Sequence, residues 1–520
     1  MKRYPTFSLV GFTLALALPF FLFACGGGGG GENPTGAGGG KELVIAFETS
    51  PTNLDSRVGN DQASGRVFDL IYSGLIKVTP DSNYAPDLAE SWETPDNKTI
   101  VFHLRPNLKF QNGQPLTAKD VKWTYDSLMA ENFVTSKKSG YATVDHIEAP
   151  DARTVIFKLK EPNGGIFDNL TLGVLPIGAD TNVYKTHPIG AGPYQVVDFR
   201  PDDRVVLKAW DQWHGGAPKI KNVVIRIIPD ATTRILELRK GTVNFALNSV
   251  PYDAVARFQN DKDFTVVKEP GAVYQYLAFN LRDPILKHVE VRRAIAHAVN
   301  REQIVRDLLL GFGTVTDSIF PKGHWARAEN LKTYPYDQAK AKQLLDQAGY
   351  RDPDGDGPQT RFKLVYKTST DAEANQQAQM IQQMLKQVGI DVEIQSNEFG
   401  VFYEDIQKGN FQMYSLRRAG VSDPDFLYVI FHSSNLPPEG QNRGYYVNKE
   451  VDRLIEEGRS TFDRSQRKVA YVKVQQILQE DLPYLSLYHR YNVAIMRSDI
   501  HGYVMYPSGF LLSVPYMSID

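Results

Sequence analysis

Catalysis in this 520-residue chain would require nucleophiles, paired carboxylates or clustered histidines at working spacings. No Gly-x-Ser-x-Gly elbow, His-Glu-x-x-His helix or Gly-x-Gly-x-x-Gly turn after a strand occurs. The ten histidines (103, 146, 187, 214, 288, 297, 324, 432, 489 and 501) are scattered, with no i,i+4 or ligand-like pair, and read as structural or surface residues. Asp352, Asp354 and Asp356 with Gly357 imitate the start of a calcium loop. Its twelfth position is Lys363, where a bidentate glutamate belongs. An Asp/Gly-rich turn is the simpler reading, with a structural calcium site as the alternative. Gly40-Lys41 ends a glycine run as a phosphate loop does, but Thr35 and Glu42 replace the glycine and the Ser/Thr that such a loop needs. The expectation is no catalytic residue, no metal ligand set and no cofactor. What remains are groups suited to holding a ligand. Thr49 and Asn53 lie in a polar turn, while Tyr274 and Tyr276 share one strand face that ends in Asn280. Two tyrosines on one face offer a cavity both flat apolar area and hydroxyls, although most tyrosines are core residues.

The elements that would position these groups alternate. Residues 42–48 read as a buried strand leading into the turn of Thr49 and Asn53. Residues 99–105 and 154–159 show period-two alternation, as half-buried strands do. Between them Thr117 caps a helix bearing Val121, Trp123, Tyr125 and Leu128, with Asp120 completing a near capping box. Residues 204–210 and 221–228 are strand-like. The pattern predicts helices over 288–310, 337–348, 374–388, 399–408 and 464–480, and strands over 361–367, 390–394 and 411–416. This strand–helix rhythm specifies an α/β lobe.

Composition limits the function class. With 42% hydrophobic and 23% charged residues the chain can bury ordinary cores, and its length suits about three domains or two large lobes. A net charge of −2 gives no footprint for nucleic acid. One cysteine excludes intrachain disulfides and cysteine-rich zinc sites. That cysteine, Cys25, follows Lys2, Arg3 and the apolar stretch Phe7–Ala24. A basic segment before an apolar one is a secretory signal, and an uncleaved membrane anchor is the alternative. The end of the stretch, Leu22-Phe23-Ala24-Cys25-Gly26, resembles the bacterial lipobox. The resemblance implies cleavage after residue 24 and acylation of Cys25, with residues 26–40 as a glycine-rich tether.

Several segments together resemble the extracytoplasmic solute-binding proteins of the oligopeptide/dipeptide/nickel group, family 5, which serve ABC importers. They are Ala85-Pro86-Asp87-Leu88-Ala89-Glu90-Ser91-Trp92, Phe102-His103-Leu104-Arg105, Lys109-Phe110-Gln111-Asn112-Gly113 and Pro115–Val121. Gly190-Ala191-Gly192-Pro193-Tyr194, Val291-Arg292-Arg293-Ala294-Ile295, Leu344–Tyr350, Asp423-Pro424-Asp425 and Tyr446–Asp452 complete the series. The resemblance implies an α/β, two-lobed periplasmic-binding-protein-like fold of cluster C type, with an extra α+β domain inserted in the first lobe. Lobe I would comprise 41–78, 189–280 and 491–520, the insertion 79–188, and lobe II 281–490.

One departure concerns the ligand. Peptide-binding relatives carry a Trp-x-x-Asp-x-x-Asp-Pro motif whose first aspartate pairs with the ligand's ammonium group. Aligned on Asp423-Pro424, this chain has Arg417 for the tryptophan and Gly420 for that aspartate. Arg417 and Arg418 bring positive charge instead. Neighbouring strand residues point to opposite faces, so only one of the two can face a cleft and bind an anionic group. The alternative is that both pair with surface carboxylates. The resulting expectation is a lipid-anchored, monomeric receptor in the cell envelope. It captures a small solute, an oligopeptide first and an anionic, sugar-like or metal-chelate solute second, and passes it to an ABC permease. A secreted hydrolase and a non-transport sensor or chaperone are the rivals.

Overall fold

The computed structural model describes residues 41–355, 357–418, 423–438 and 440–520. The signal stretch, Cys25 and the tether lie outside the described residues, as do Asp356 of the Asp/Gly loop and Gly420.

The chain's apolar alternation assembles into one long sheet. From one edge to the other its strands run Ile390–Asn397, Phe362–Ser369, Met413–Arg418, Phe264–Phe279, Tyr484–Arg497, Phe245–Leu247, Glu42–Phe47, Asn222–Ile227, Arg204–Ala209 and Tyr194–Arg200. Strand Glu42–Phe47 pairs in parallel with Asn222–Ile227 and Phe245–Leu247, and Phe362–Ser369 pairs in parallel with Ile390–Asn397 and Met413–Arg418. The two parallel groups are joined by the antiparallel pair Phe264–Phe279 and Tyr484–Arg497. The far end of Tyr484–Arg497 pairs with Phe245–Leu247 (Phe245 opposite Met496), while the end of Phe264–Phe279 pairs with Met413–Arg418 (Tyr274 opposite Arg418). Two strands thus pass from one half of the molecule into the other. Their register slips between Pro270 and Tyr274.

Each half has its own apolar packing. Leu43, Ile45, Val223 and Ile225 pack on one face of the first half with Val67 and Leu70 of helix Gln62–Ile71. In the second half, helix Ala372–Lys386 buries Ala378, Ile381 and Leu385, the stripe expected from its spacing, against Leu364 and Ile390. A separate four-stranded antiparallel sheet (Ala89–Asp96, Thr99–Leu104, Thr154–Leu159, Val144–Glu148) lies within the segment from 79 to 188. Its core takes Val121, Tyr125 and Leu128 from helix Ala118–Met129. The capping box forms there, with the Thr117 amide donating to Asp120 Oδ2 at 2.8 Å.

One expected helix divides. Residues 288–310 form Val289–Ala298 and Arg301–Asp307, because the Asn300 side chain accepts from the Gln303 amide at 2.9 Å and starts a new helix.

Several motif residues hold chain crossings together. A β-carbon on Gly190 would overlap the Ile71 carbonyl oxygen, so the two chains can approach only if this residue is glycine. The Gln111 side chain donates to the carbonyls of Ile71, Gly192 and Tyr194, at 3.1, 3.2 and 2.6 Å, and accepts from the Gly190 amide. Arg292, buried, donates to the carbonyls of Leu286, Lys287 and Leu482.

Candidate functional site

Two adjoining cavities open on the segment 139–169. The first, about 480 Å³, lies between that segment and the first half and is lined by Phe68, Asp69, Tyr72, Lys137 and Phe510. The second, about 640 Å³, is walled on one side by Thr143, Asn163 and Asp168. Arg418, Asp425, Phe426, Gln441 and Arg459 of the second half form the other wall. Ser139, Gly140, Asp168 and Asn169 line both.

Secondary structure aims these groups. Helix Gln62–Ile71, capped by Asp61, turns Val67 and Leu70 to the core and Asp69 to the first cavity. The Asp69 carboxylate accepts from the Leu511 amide at 2.7 Å, and burial pushes it up to about 7 despite that bond and the nearby Arg66. Burial brings Lys137 down to about 8, and its ammonium donates to the Ser56 carbonyl at 2.6 Å.

On the opposite wall the aspartates are already paired. Asp423 accepts from both terminal nitrogens of Arg467, at 3.0 and 2.6 Å, with both side chains 4% exposed. Asp425 lies 2.7 Å from Arg459 Nε, and burial raises it to about 6. The arginines of strand Met413–Arg418 part as strand geometry requires. Arg417, 49% exposed, lies 3.9 Å from Glu373. Arg418 lines the second cavity, its guanidinium 3.8 Å above the Phe426 ring.

The other expected residues are placed differently. Tyr274 and Tyr276 are 2% and 3% exposed, and neither lines the two cavities described above. They stack on each other (5.5 Å between centroids) and Tyr276 stacks on Tyr484 (4.6 Å), inside a core with Leu427, Phe431 and Leu478. The Tyr274 hydroxyl is matched to Ser486 Oγ at 2.7 Å. The strand is central in the sheet and that face is covered, apart from a small space of about 30 Å³ that Tyr274 borders with Ser318, Phe431, Tyr484 and Ser486. The Asn280 amide is also committed, donating to the carbonyls of Gly409 and Phe411 at 3.1 and 2.8 Å. Asp423 borders the second cavity, but its charge is matched by Arg467. Thr49 is exposed, and Asn53 Oδ1 accepts from the Asp55 amide at 2.9 Å; neither belongs to the two cavity walls.

Sequence reasoning missed Asp69, Lys137 and Asp425 of the cavity walls, and the buried Arg443 that stacks beside Tyr403. For Asp69 a signal existed: an acid within the apolar run Phe68-Asp69-Leu70-Ile71. Arg443 sits in an irregular segment with no periodicity to read. Among the described residues, no group of three or more His, Cys, Asp or Glu is placed to hold a metal ion. None of the described helices is long and apolar enough to cross a membrane.

Comparison with known proteins adds to this geometry. The sequence profile of the bacterial extracellular solute-binding proteins, family 5 (Middle), matches residues 83–437. The oligopeptide-binding protein AppA of Bacillus subtilis (strain 168) is 28% identical over 543 residues, covering 99% of each chain. The dipeptide-binding protein of Escherichia coli (strain K12) is 27% identical, covering 90% of this chain and 93% of its own. Among solved structures, AppA in complex with a nonapeptide superposes with a TM-score of 0.74 over 92% of this chain and 99% of that one. NikZ from Campylobacter jejuni in complex with Ni(L-His), 26% identical, gives 0.75 over the same shares.

Proposed function

Because the chain belongs to family 5 of the bacterial extracellular solute-binding proteins, a family of non-catalytic receptors, we propose that it captures a peptide between its two halves and delivers it to the permease of an ABC importer. The observation that carries this reading is the cavity of about 640 Å³ whose walls come from the 139–169 segment and from the second half. That volume is ordinary for a ligand site. A solute there touches parts of the molecule joined through two long strands, so it favours whichever arrangement brings both walls into contact. Lobe I is assigned to 41–78, 189–280 and 491–520, the insertion to 79–188 and lobe II to 281–490. Arg418, on the wall of this cavity, is assigned to the solute. AppA and the Escherichia coli relative are named for oligopeptide and dipeptide, which supports a peptide here.

The receptor is held at the membrane through acylated Cys25, and residues 26–40 give a reach of roughly 20 Å. Replacement of Cys25 by serine is expected to release the protein from the membrane fraction, as followed by fractionation and intact mass. Peptide capture is tested by mass spectrometry of what a purified sample retains from a peptide digest. Retention of a nickel–histidine chelate with no peptide retained would replace this reading.

A further inference from the structure

The second half presents two guanidinium groups with no carboxylate partner among the described residues. Arg443 is 3% exposed. Among the described residues its Nη2 donates to the Tyr403 hydroxyl at 2.8 Å, its guanidinium carbon lies 4.8 Å from the centroid of that ring, and its buried Nε has no partner. Arg418 stacks on Phe426 and, among the described residues, donates to the neutral Gln441 at 3.3 Å, where it lines the 640 Å³ cavity. Gln441 lines the same cavity two residues before Arg443, and both guanidiniums act electrostatically on Tyr276 and Tyr484. The acids on that wall do not answer them. Asp423 is held by Arg467 and Asp425 by Arg459. Across the cavity, Asp168 accepts from the Tyr84 hydroxyl, and Glu161 is exposed at the rim.

A buried cation without a counter-charge destabilises a fold, since desolvation is not offset by Coulombic attraction. The tyrosine and phenylalanine faces recover only part of that loss. Such a pair beside a cavity suits an anion that arrives from outside. We infer that Arg418, backed by Arg443, is an anion-binding pair on the second half's wall, and that the solute must present it with a carboxylate or phosphate group. This rests on the receptor reading above and narrows its ligand. Arg418 contacts the anion, and Arg443 acts behind it as a positioning residue that supplies field and holds Tyr403 and the neighbouring rings.

The test uses the full mature chain with three probes: a tryptic digest of an unrelated protein, the same digest with its carboxyl groups converted to methylamides, and inorganic phosphate. Retention is followed by ultrafiltration with mass spectrometry, and affinity by calorimetry. The intact digest is expected to bind, the amidated digest at least about thirtyfold more weakly, and phosphate to compete with the intact digest. Arg418→Gln should lose affinity by a similar factor, with Arg418→Lys in between because it cannot bind bidentately. Arg417→Gln should bind as the wild type does. Arg443→Met should weaken carboxylate-bearing peptides more than amidated ones, a split that a purely structural role would not produce; if it fails to fold, the Arg418 series decides. Equal retention of both digests, or undiminished binding by Arg418→Gln, overturns the inference and leaves peptide capture standing. Phosphate bound by the wild type but not by Arg418→Gln, with neither digest retained, supports the anion pair and overturns peptide capture. If no probe binds, both fall.

Discussion

Asp423 and Arg467 meet through two hydrogen bonds at almost complete burial, and Arg467 Nε also donates to the Gly458 carbonyl. Such a pair contributes little net stability over an apolar replacement, but removing one member strands the other's charge. Arg467→Met is therefore expected to lower the unfolding free energy by about 3–5 kcal/mol in urea titrations. Adding Asp423→Leu should recover much of the loss, and a double variant as unstable as the single one would argue against a stranded charge. Asp69 makes a pH-dependent contribution. Its folded value lies near 7, well above the ordinary 3.8, chiefly through burial. Between about pH 4 and 7 the native state holds a proton that the unfolded chain has released, so this group's contribution to stability falls as pH rises through that window. Asp69→Asn, which can still accept from the Leu511 amide, should match the wild type near pH 4 and gain on it steadily up to pH 7.5. Asp425, raised in the same sense, is common to both proteins and cancels in the comparison; Lys137, brought down to about 8, lies just above the window. Parallel melting curves for the two proteins would refute the assignment.

At the level of elements, the two long strands carry the largest mechanical demand. They pass close to one another at Gly271, where a β-carbon would stand 2.8 Å from Asn492 Oδ1 and 2.9 Å from the Arg490 carbonyl oxygen. Asn492 cannot easily yield, since it donates to the carbonyls of Tyr506 and Pro507 and accepts from Asn248. Gly271→Val should cost about 1–3 kcal/mol by overpacking, measurable by calorimetric unfolding, while Gly65→Ala, where nothing lies within 4 Å of the added carbon, should not destabilise. These strands also show where sequence reasoning stopped. The alternation of Ile100, Phe102 and Leu104 and the stripe of Ala378, Ile381 and Leu385 are local patterns, and both were legible. Glu269-Pro270-Gly271 reads as a break, so the full extent of Phe264–Phe279 was hidden, and strand order is set by contacts more than 200 residues apart in sequence, such as Tyr274 with His489. The site suffered more. Tyr274 and Tyr276 satisfy the same pattern whether their face meets a cavity or a core. Only the register of Tyr274 against Arg418 and the packing beyond it decide which arginine turns toward the cavity.

For the whole molecule, closure depends on contacts beyond the two strands. The segment from 79 to 188 already meets the second half: the Gly164 amide donates to the Arg459 carbonyl at 2.8 Å, Phe167 packs edge-on against Phe462, and Arg464 Nη2 donates to the Ser82 carbonyl at 2.9 Å. The cavity lies beside this contact, so a solute held there adds interactions on both sides of it. Two observables must then move together. Binding to the native state alone raises its stability by RT ln(1 + [L]/Kd), about 2.7 kcal/mol at a hundredfold excess over Kd, so the melting temperature should rise with solute concentration and continue to rise beyond saturation. If the solute also draws the halves together, the radius of gyration, roughly 23 Å for a compact folded region of about 480 residues, should fall in small-angle scattering over the same concentration range. Saturation of the scattering change at one equivalent, with the melting temperature still climbing, would identify closure around a single solute. A rising melting temperature at constant radius would mean that the solute engages one wall alone, and delivery by closure would have to be abandoned.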